Sequence, residues 1–299
     1  MGSASMKPTV VWEGPAGLDW GRSWMECMLQ RVDVNYKFVK TTKNLQSYDK
    51  CIVVTNTSAS YDYIEQLQED KKSFGVVLLS DECLVEPMFY LEDPNCKFAA
   101  RTYFHPGYYE HPKVFVFGLG YKQDFEKYIG NTSVVPGRRA FDWSFAGSLK
   151  MDRSECLRVL NENFPKNPVF IFEKFNDPKH FNAEGYARLV ESSTFIPCPQ
   201  GGAILDSFRI YEALEANSIP VTLKNSSSMK IEPSYWHGVF VGAGTLPFVC
   251  TDTWEEAATE MKRIRDNNEI SKVRRQCKHF WEFYVALWQK EFEKRIALL

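Results

Sequence analysis

The residues best suited to chemistry fall in one stretch, 195–221, FIPCPQGGAILDSFRIYEALEANSIPV. An extended run enters the pair Gly201 and Gly202, then a helix expected over 205–216 and opened by Asp206 and Ser207. Helix N-termini offer unpaired N–H groups and the positive end of the peptide dipole, and glycine lets a ligand come close to the backbone. That layout suits an anion such as a diphosphate. Inside the helix, Ile210, Ala213 and Leu214 follow the i, i+3, i+4 spacing of a buried stripe, while Arg209 and Glu212 share a neighbouring face. An arginine can grip a diphosphate through charge-assisted hydrogen bonds worth about 1.5–3 kcal/mol each, and a carboxylate suits two vicinal ribose hydroxyls. The same spacing also fits an ordinary ion pair on a solvated helix face, worth about 0–1 kcal/mol.

Three carboxylates could accept a proton. Asp81 and Glu82 close the apolar run 75–79, and the carboxyl ends of strands in open α/β sheets face the ligand crevice. A surface or helix-capping role fits them as well. Asp19 lies in a glycine-rich loop after the first apolar run, where turn-forming aspartates are common. His105 and His111 flank a loop rich in proline and tyrosine, but two histidines without a third ligand make a poor metal site, so both read as structural. The eight cysteines are spread along the chain without a C-x-x-C pair, which reads as scattered reduced thiols. Asn56, Asn131 and Asn225 each open an N-x-Ser pattern that matters only behind a secretory membrane.

The elements that must position these residues alternate. Apolar runs at 9–12, 51–54, 75–79 and 114–117 read as strands, with helical periodicity over 60–71. The stretch 121–139 is polar, weakly patterned and broken by Gly130, Pro136 and Gly137, so the domain boundary is placed there. Alternation then restarts: strands at 143–147, 169–172, 195–198 and 219–223, helices at 153–163, 186–192 and 205–216. The aromatic-rich stretch 271–299 is strongly helical. The expected division is 6–133, 134–275 and a C-terminal helix 276–299 packing back across both domains.

Of 299 residues, 44% are hydrophobic and 25% charged, the balance of a globular protein, and the length suggests two domains. A net charge of −2 gives no general field for nucleic acid or anionic membrane, so an anionic ligand must be held locally. There is no membrane-length apolar run and no signal-peptide pattern, which points to the cytoplasm. Met1 to Ser5 looks like a cloning remnant before a native Met6, which leaves a Golgi-lumenal enzyme with its anchor removed as the alternative.

The stretch around Gly201 matches the exostosin glycosyltransferase signature, S-x-x-F-x-x-C-P-x-G followed by S-x-R-x-x-E-A and I-P-V. Its positions here are Ser192, Phe195, Cys198, Pro199, Gly201, Ser207, Arg209, Glu212, Ala213 and Ile219-Pro220-Val221. Upstream, RAFDWSFAGS from Arg139 to Ser148 resembles the arginine, apolar strand and glycine that open the exostosin donor domain, with Arg153 at the familiar distance. VVWEGPAGLDWG, VVLLSDE, VFVFGLGY and LPFV are similar to ribitol xylosyltransferases and to exostosin-like xylosyltransferases of large algal viruses.

The resemblance implies an α/β fold of the GT-B class, two Rossmann-like domains facing a central cleft, with acceptor recognition in the first and a nucleotide-sugar donor in the second. It makes Arg139 and Arg153 candidates for the donor phosphates and Gly147 and Ser148 the adjoining loop. Gly202 and Phe208 complete the donor set with Cys198, Pro199, Gly201, Ser207, Arg209 and Glu212. The implied reaction is an inverting transfer, with xylose from UDP-xylose as the first donor and fucose or another deoxy or alditol unit as an acceptor. Inversion calls for a base, and the resemblance selects Glu82 over Asp81, with Asp19 as runner-up. No Asp-x-Asp occurs, so no metal or other cofactor is expected, and leaving-group charge falls to Arg209, Arg153 and the helix N-terminus. A non-catalytic nucleotide-sugar-binding subunit remains the alternative, as do another UDP-sugar and a homo- or hetero-oligomer.

Overall fold

The computed structural model describes residues 7–13, 20–56, 60–130, 139–173, 181–227 and 229–299. Two compact units emerge, Met1–Leu119 with Val285–Leu299, and Gly120–Tyr284.

The first unit is built on a six-stranded parallel sheet of β1 (Thr9–Glu13), β2 (Asn35–Val39), β3 (Lys50–Thr55), β4 (Ser73–Leu78), β5 (Cys96–Arg101) and β6 (Val114–Val116). The order is β2-β1-β3-β4-β5-β6. Strands buried on both faces read as continuous apolar runs, and Cys51, Ile52, Val53 and Val54 are fully buried. Helix α1 (Arg22–Leu29) follows β1, and α2 (Tyr61–Glu69) buries Tyr63, Ile64 and Leu67 as the periodicity requires. The chain leaves β1 for β2 and returns to β3 on the other side, so the strand order reverses at β1 and β3, where open α/β sheets bind ligands. Asp19, a few residues after β1 in the sequence, lies outside the described residues. The edge strand β2 is almost wholly exposed, and β5 carries Lys97, Ala99 and Ala100, so neither showed the apolar pattern that marked the other strands.

The second unit has a four-stranded parallel sheet ordered β12-β11-β10-β7, with β7 (Phe141–Trp143), β10 (Ser193–Pro197), β11 (Ile219–Leu223) and β12 (Val249–Thr251). A two-stranded parallel sheet pairs β8 (Phe145–Gly147) with β9 (Val169–Ile171). The single strand expected at 143–147 is thus divided at Ser144. Its first part pairs with β10 and its second with β9. The helices are α3 (Arg153–Asn163), α4 (Ala183–Glu191), α5 (Phe208–Glu215), α6 (Tyr235–Val239), α7 (Trp254–Asp266) and the long α8 (Ile270–Ile296). Helices α6 and α7 and strand β12 went unread in the sequence.

The boundary falls at Leu119 and Gly120, earlier than the expected 133, because the intervening stretch packs into the second unit. Lys122 N–H donates to Glu212 at 3.4 Å, the Phe125 ring lies 5.9 Å from Tyr186 of α4, and Gly130 N–H donates to Glu191 at 2.7 Å. The C-terminal helix starts at Ile270, earlier than the expected 276, and α8 belongs to the second unit through Tyr284 and to the first from Val285. Its first part packs Phe280 on Phe240, and its last part stacks Trp288 on Phe115 and sets Phe292 edge-on to Phe115 and Phe117. Among the described residues no helix is long and apolar enough to cross a membrane.

In the first sheet Gly75 pairs with Phe98, and a Cβ on Gly75 would meet that buried ring at 2.3 Å. Overpacking of this kind costs about 1–3 kcal/mol. Gly75→Ala is expected to lower stability by that amount in urea unfolding, and an unchanged midpoint would show that the β4–β5 pair can open to admit a methyl group.

Candidate functional site

The signature stretch of the second unit runs from the carboxyl end of β10 into α5. Cys198 N–H donates to Val221 O at 2.7 Å, and the Cys198 thiol donates to Ile196 O at 3.2 Å. Burial pushes that thiol up, and Pro199 is buried as well. Both are core residues of the turn. Gly201 N–H donates to Ile204 O at 3.1 Å, and Gln200 Nε2 reaches Gly202 O at 3.3 Å. Asp206 turns inward, 1% exposed, and accepts the Tyr211 hydroxyl at 2.9 Å. The helix therefore begins at Phe208, with Ser207 as N-cap, instead of at 205.

Ser207 makes no side-chain cap bond, and its buried Oγ has no hydrogen-bond partner among the described residues. Two positions on, Arg209 reaches the turn after β8. Its Nη2 donates to Ala146 O at 2.9 Å, its guanidinium lies 4.8 Å from the centre of the Phe145 ring, and its buried Nε has no hydrogen-bond partner among the described residues. The seat exists because residue 147 is glycine, where a Cβ would stand 2.3 Å from Arg209 Nη2. An extended N-cap, the positive end of the helix dipole, and two unsatisfied side-chain donors make a seat for an anion.

Arg153, expected at the phosphates, directs its donors to the protein's own loops. It is 5% exposed and donates to Gln200 O at 3.1 Å, Ser148 O at 2.9 Å and Gly201 O at 3.1 Å, with a longer contact to Ser148 Oγ. It fastens the turn after β8 to the loop after β10. Asp152 beside it accepts from Gln200 N–H and Trp254 Nε1.

Arg139 sits at the other end of α5, donating to Ala216 O at 2.9 Å and Asn217 O at 3.2 Å. Burial, aided by neighbouring Arg274, pushes it down to about 10. Eight helical residues, a length of about 12 Å, separate it from Ser207, so it caps the C-terminus of α5 and does not join the anion seat.

Glu212 does not share an open face with Arg209. It is 3% exposed and takes hydrogen bonds from the Tyr186 hydroxyl and Lys122 N–H. Burial pushes it up, and the Arg209 charge opposes that shift. Periodicity placed Glu212 beside the buried stripe but carried no sign of the 120–130 segment that covers it. Phe145, Asp152 and Gln200 also went unread, since nothing in their spacing sets them apart. Among the described residues, no group of three or more His, Cys, Asp or Glu side chains is arranged to hold a metal ion.

The family described as the RXYLT1 C-terminal domain matches residues 122–297, more than half the chain and nearly all of the second unit. The chain belongs to this family, the exostosin-like ribitol xylosyltransferases. No curated protein matches it in sequence. Among solved structures it is similar to a glycosyltransferase from Rickettsia africae, with 11% identity over 97% of this chain and 98% of that one and a TM-score of 0.61. It is also similar to Anabaena Alr3699/HepE, solved with UDP, with 10% identity over 98% and 100% and a TM-score of 0.56. A third is the UDP-forming α,α-trehalose-phosphate synthase of Burkholderia vietnamiensis, with the same identity, coverage and TM-score. The fold is GT-B, with two Rossmann-like parallel units.

In the first unit of this RXYLT1-family chain, Asp81 and Glu82 follow β4 as expected, but their surroundings differ. The Asp81 side chain is 3% exposed and pairs with Arg101 at 2.8 Å, while its other oxygen accepts Val85 N–H at 3.0 Å. Both oxygens are engaged inside the protein. Glu82 is half-buried on the turn that Asp81 organises.

The dependence of Arg209 on Gly147 can be tested with inorganic pyrophosphate as the probe. Gly147→Ala moves the guanidinium off Ala146 and is expected to weaken pyrophosphate binding about tenfold, roughly 1.4 kcal/mol. Calorimetric titration reads this directly, and equal affinity in the variant would show that the seat does not depend on Arg209.

Proposed function

We propose that the protein is an inverting glycosyltransferase that moves xylose from UDP-xylose onto a hydroxyl of a glycan acceptor, such as fucose or another deoxy or alditol unit. The observation that carries this reading is the pair of buried unsatisfied donors, Ser207 Oγ and Arg209 Nε, at the N-terminus of α5 beside Gly147. Buried donors without partners are costly, about 1–3 kcal/mol each, and a diphosphate supplies the missing acceptors. Family membership supports the xylosyl group, and the UDP in the Anabaena structure supports uridine as the nucleoside.

In the proposed step the acceptor oxygen forms a bond to the anomeric carbon. The bond from that carbon to the β-phosphate oxygen breaks, UDP leaves with the electron pair, and the anomeric configuration inverts. Glu82 takes the acceptor proton. Asp81 is the weaker candidate because Arg101 and backbone N–H groups occupy its oxygens. Charge developing on UDP meets Arg209 and the helix N-terminus without a metal ion, the latter contributing about 0.3–1 kcal/mol. Arg153 acts from behind, by fixing the loops.

UDP release from a panel of UDP-sugars, with and without monosaccharide acceptors and with EDTA present, tests the reading. Acceptor-stimulated release from UDP-xylose in EDTA is expected. Stimulation only by another donor would change the sugar, loss in EDTA would overturn metal independence, and UDP binding without release would favour a non-catalytic subunit. Glu82→Gln is expected to lower turnover about 10²- to 10⁴-fold while UDP still binds. Retained turnover would remove Glu82 as the base.

A further inference from the structure

Arg101 is among the largest fully buried side chains, and neither the fold nor the transfer step explains it. It ends β5, at the carboxyl edge of the first sheet, and three different groups receive its donors. Nη2 pairs with Asp81 at 2.8 Å, Nε donates to Tyr103 O at 2.8 Å, and Nη1 lies 3.6 Å from Met88 Sδ. A buried ion pair seldom stabilises more than apolar residues of the same size would, so its use is sought in the conformation it imposes.

That conformation is the turn 80–86. Asp81 Oδ1 accepts Val85 N–H at 3.0 Å and Glu86 N–H at 3.4 Å, and Leu84 N–H closes on Asp81 O at 3.2 Å. The segment after β5 holds the same turn at two further points. Thr102 Oγ1 accepts Ser80 N–H at 3.4 Å, and His105 hydrogen-bonds the Leu84 backbone. Ser80 and Leu84 both have positive φ, 65° and 56°, in the left-handed region that non-glycine residues adopt only where their surroundings impose it. Glu82 lies between these fixed points.

We propose that Arg101 is a positioning residue for the transfer reaction: through Asp81 it fixes the turn 80–86 and so presents the Glu82 carboxylate in one orientation. This rests on Glu82 being the base. A loosely held base loses reaction rate more than substrate affinity, because correct geometry counts most in the transition state.

Arg101→Lys keeps the charge but loses the planar fork that serves Asp81 and Tyr103 together. With the donor and acceptor that give the highest turnover, its kcat is expected to fall tenfold or more, with acceptor KM within about twofold of the unaltered protein. Asp81→Asn should lose a similar factor, and the double variant no more than either single one, because both act through the same turn. Circular dichroism and thermal unfolding establish that each variant is folded. Should Arg101→Lys or Asp81→Asn fail to fold, Thr102→Val decides, since it removes only the acceptor for Ser80 N–H, and a severalfold loss in kcat is expected. A folded Arg101→Lys with full kcat, losses that multiply in the double variant, or a neutral Thr102→Val where that variant decides, would overturn the proposal. Glu82→Gln measured alongside separates the two ideas: if it retains turnover, the assignment of the base fails and the positioning role with it, whereas if it loses turnover while a folded Arg101→Lys keeps full kcat, the positioning role alone is overturned.

Discussion

β8 and β10 lie in different sheets of the second unit, so strand pairing does not fix the loops that leave their carboxyl ends to one another. Arg153 does so by donating to carbonyls at Ser148, Gln200 and Gly201. Desolvating a guanidinium is expensive, and only several well-aligned acceptors offset it. The arrangement around Gly147 follows from that fastening. The turn that contains Gly147 is held still, Arg209 can lie against Ala146 and Phe145, and the N-terminus of α5 is kept beside them.

Four arginines of the second unit donate to backbone carbonyls, Arg209 to Ala146 O among them. The others are Arg153, Arg139 and Arg274, the last two at the C-terminal end of α5. Among the described residues, Arg209 alone of these four retains a buried Nε without a partner. In a chain with a net charge of −2, a cation at the positive end of a helix attracts an anion locally, without a general positive field.

Much of this was legible in the sequence because parallel strands buried on both faces leave continuous apolar runs. Those of β1, β3, β4, β10 and β11 announced themselves, and so did the glycine pair leading into α5. What escaped depends on contacts between distant segments. Glu212 shares a helical face with Arg209 by spacing, but Tyr186 and Lys122 come from elsewhere and cover it. Arg139 opens the matching motif, yet the chain carries it to the wrong end of α5. Ser144 looks like any residue of a strand until its hydroxyl meets Ser193 at 2.7 Å, where the strand changes partners. Asp206 resembles a helix cap because aspartate so often is one, and only the Tyr211 hydroxyl shows that it turns inward.

The two units meet the same physical problem in the same way. Each needs a loop at the carboxyl end of a parallel sheet to hold a polar group steady in water, and loops have few internal hydrogen bonds with which to do it. Each places a guanidinium beneath the loop, Arg101 in one and Arg153 in the other, where rigid planar donors reach several acceptors at once. Lysine could supply the charge but not the fixed directions. The residue nearer to solvent, Glu82 or Arg209, is then held by its neighbours before any ligand arrives, and less reorganisation remains when charge develops in a reaction.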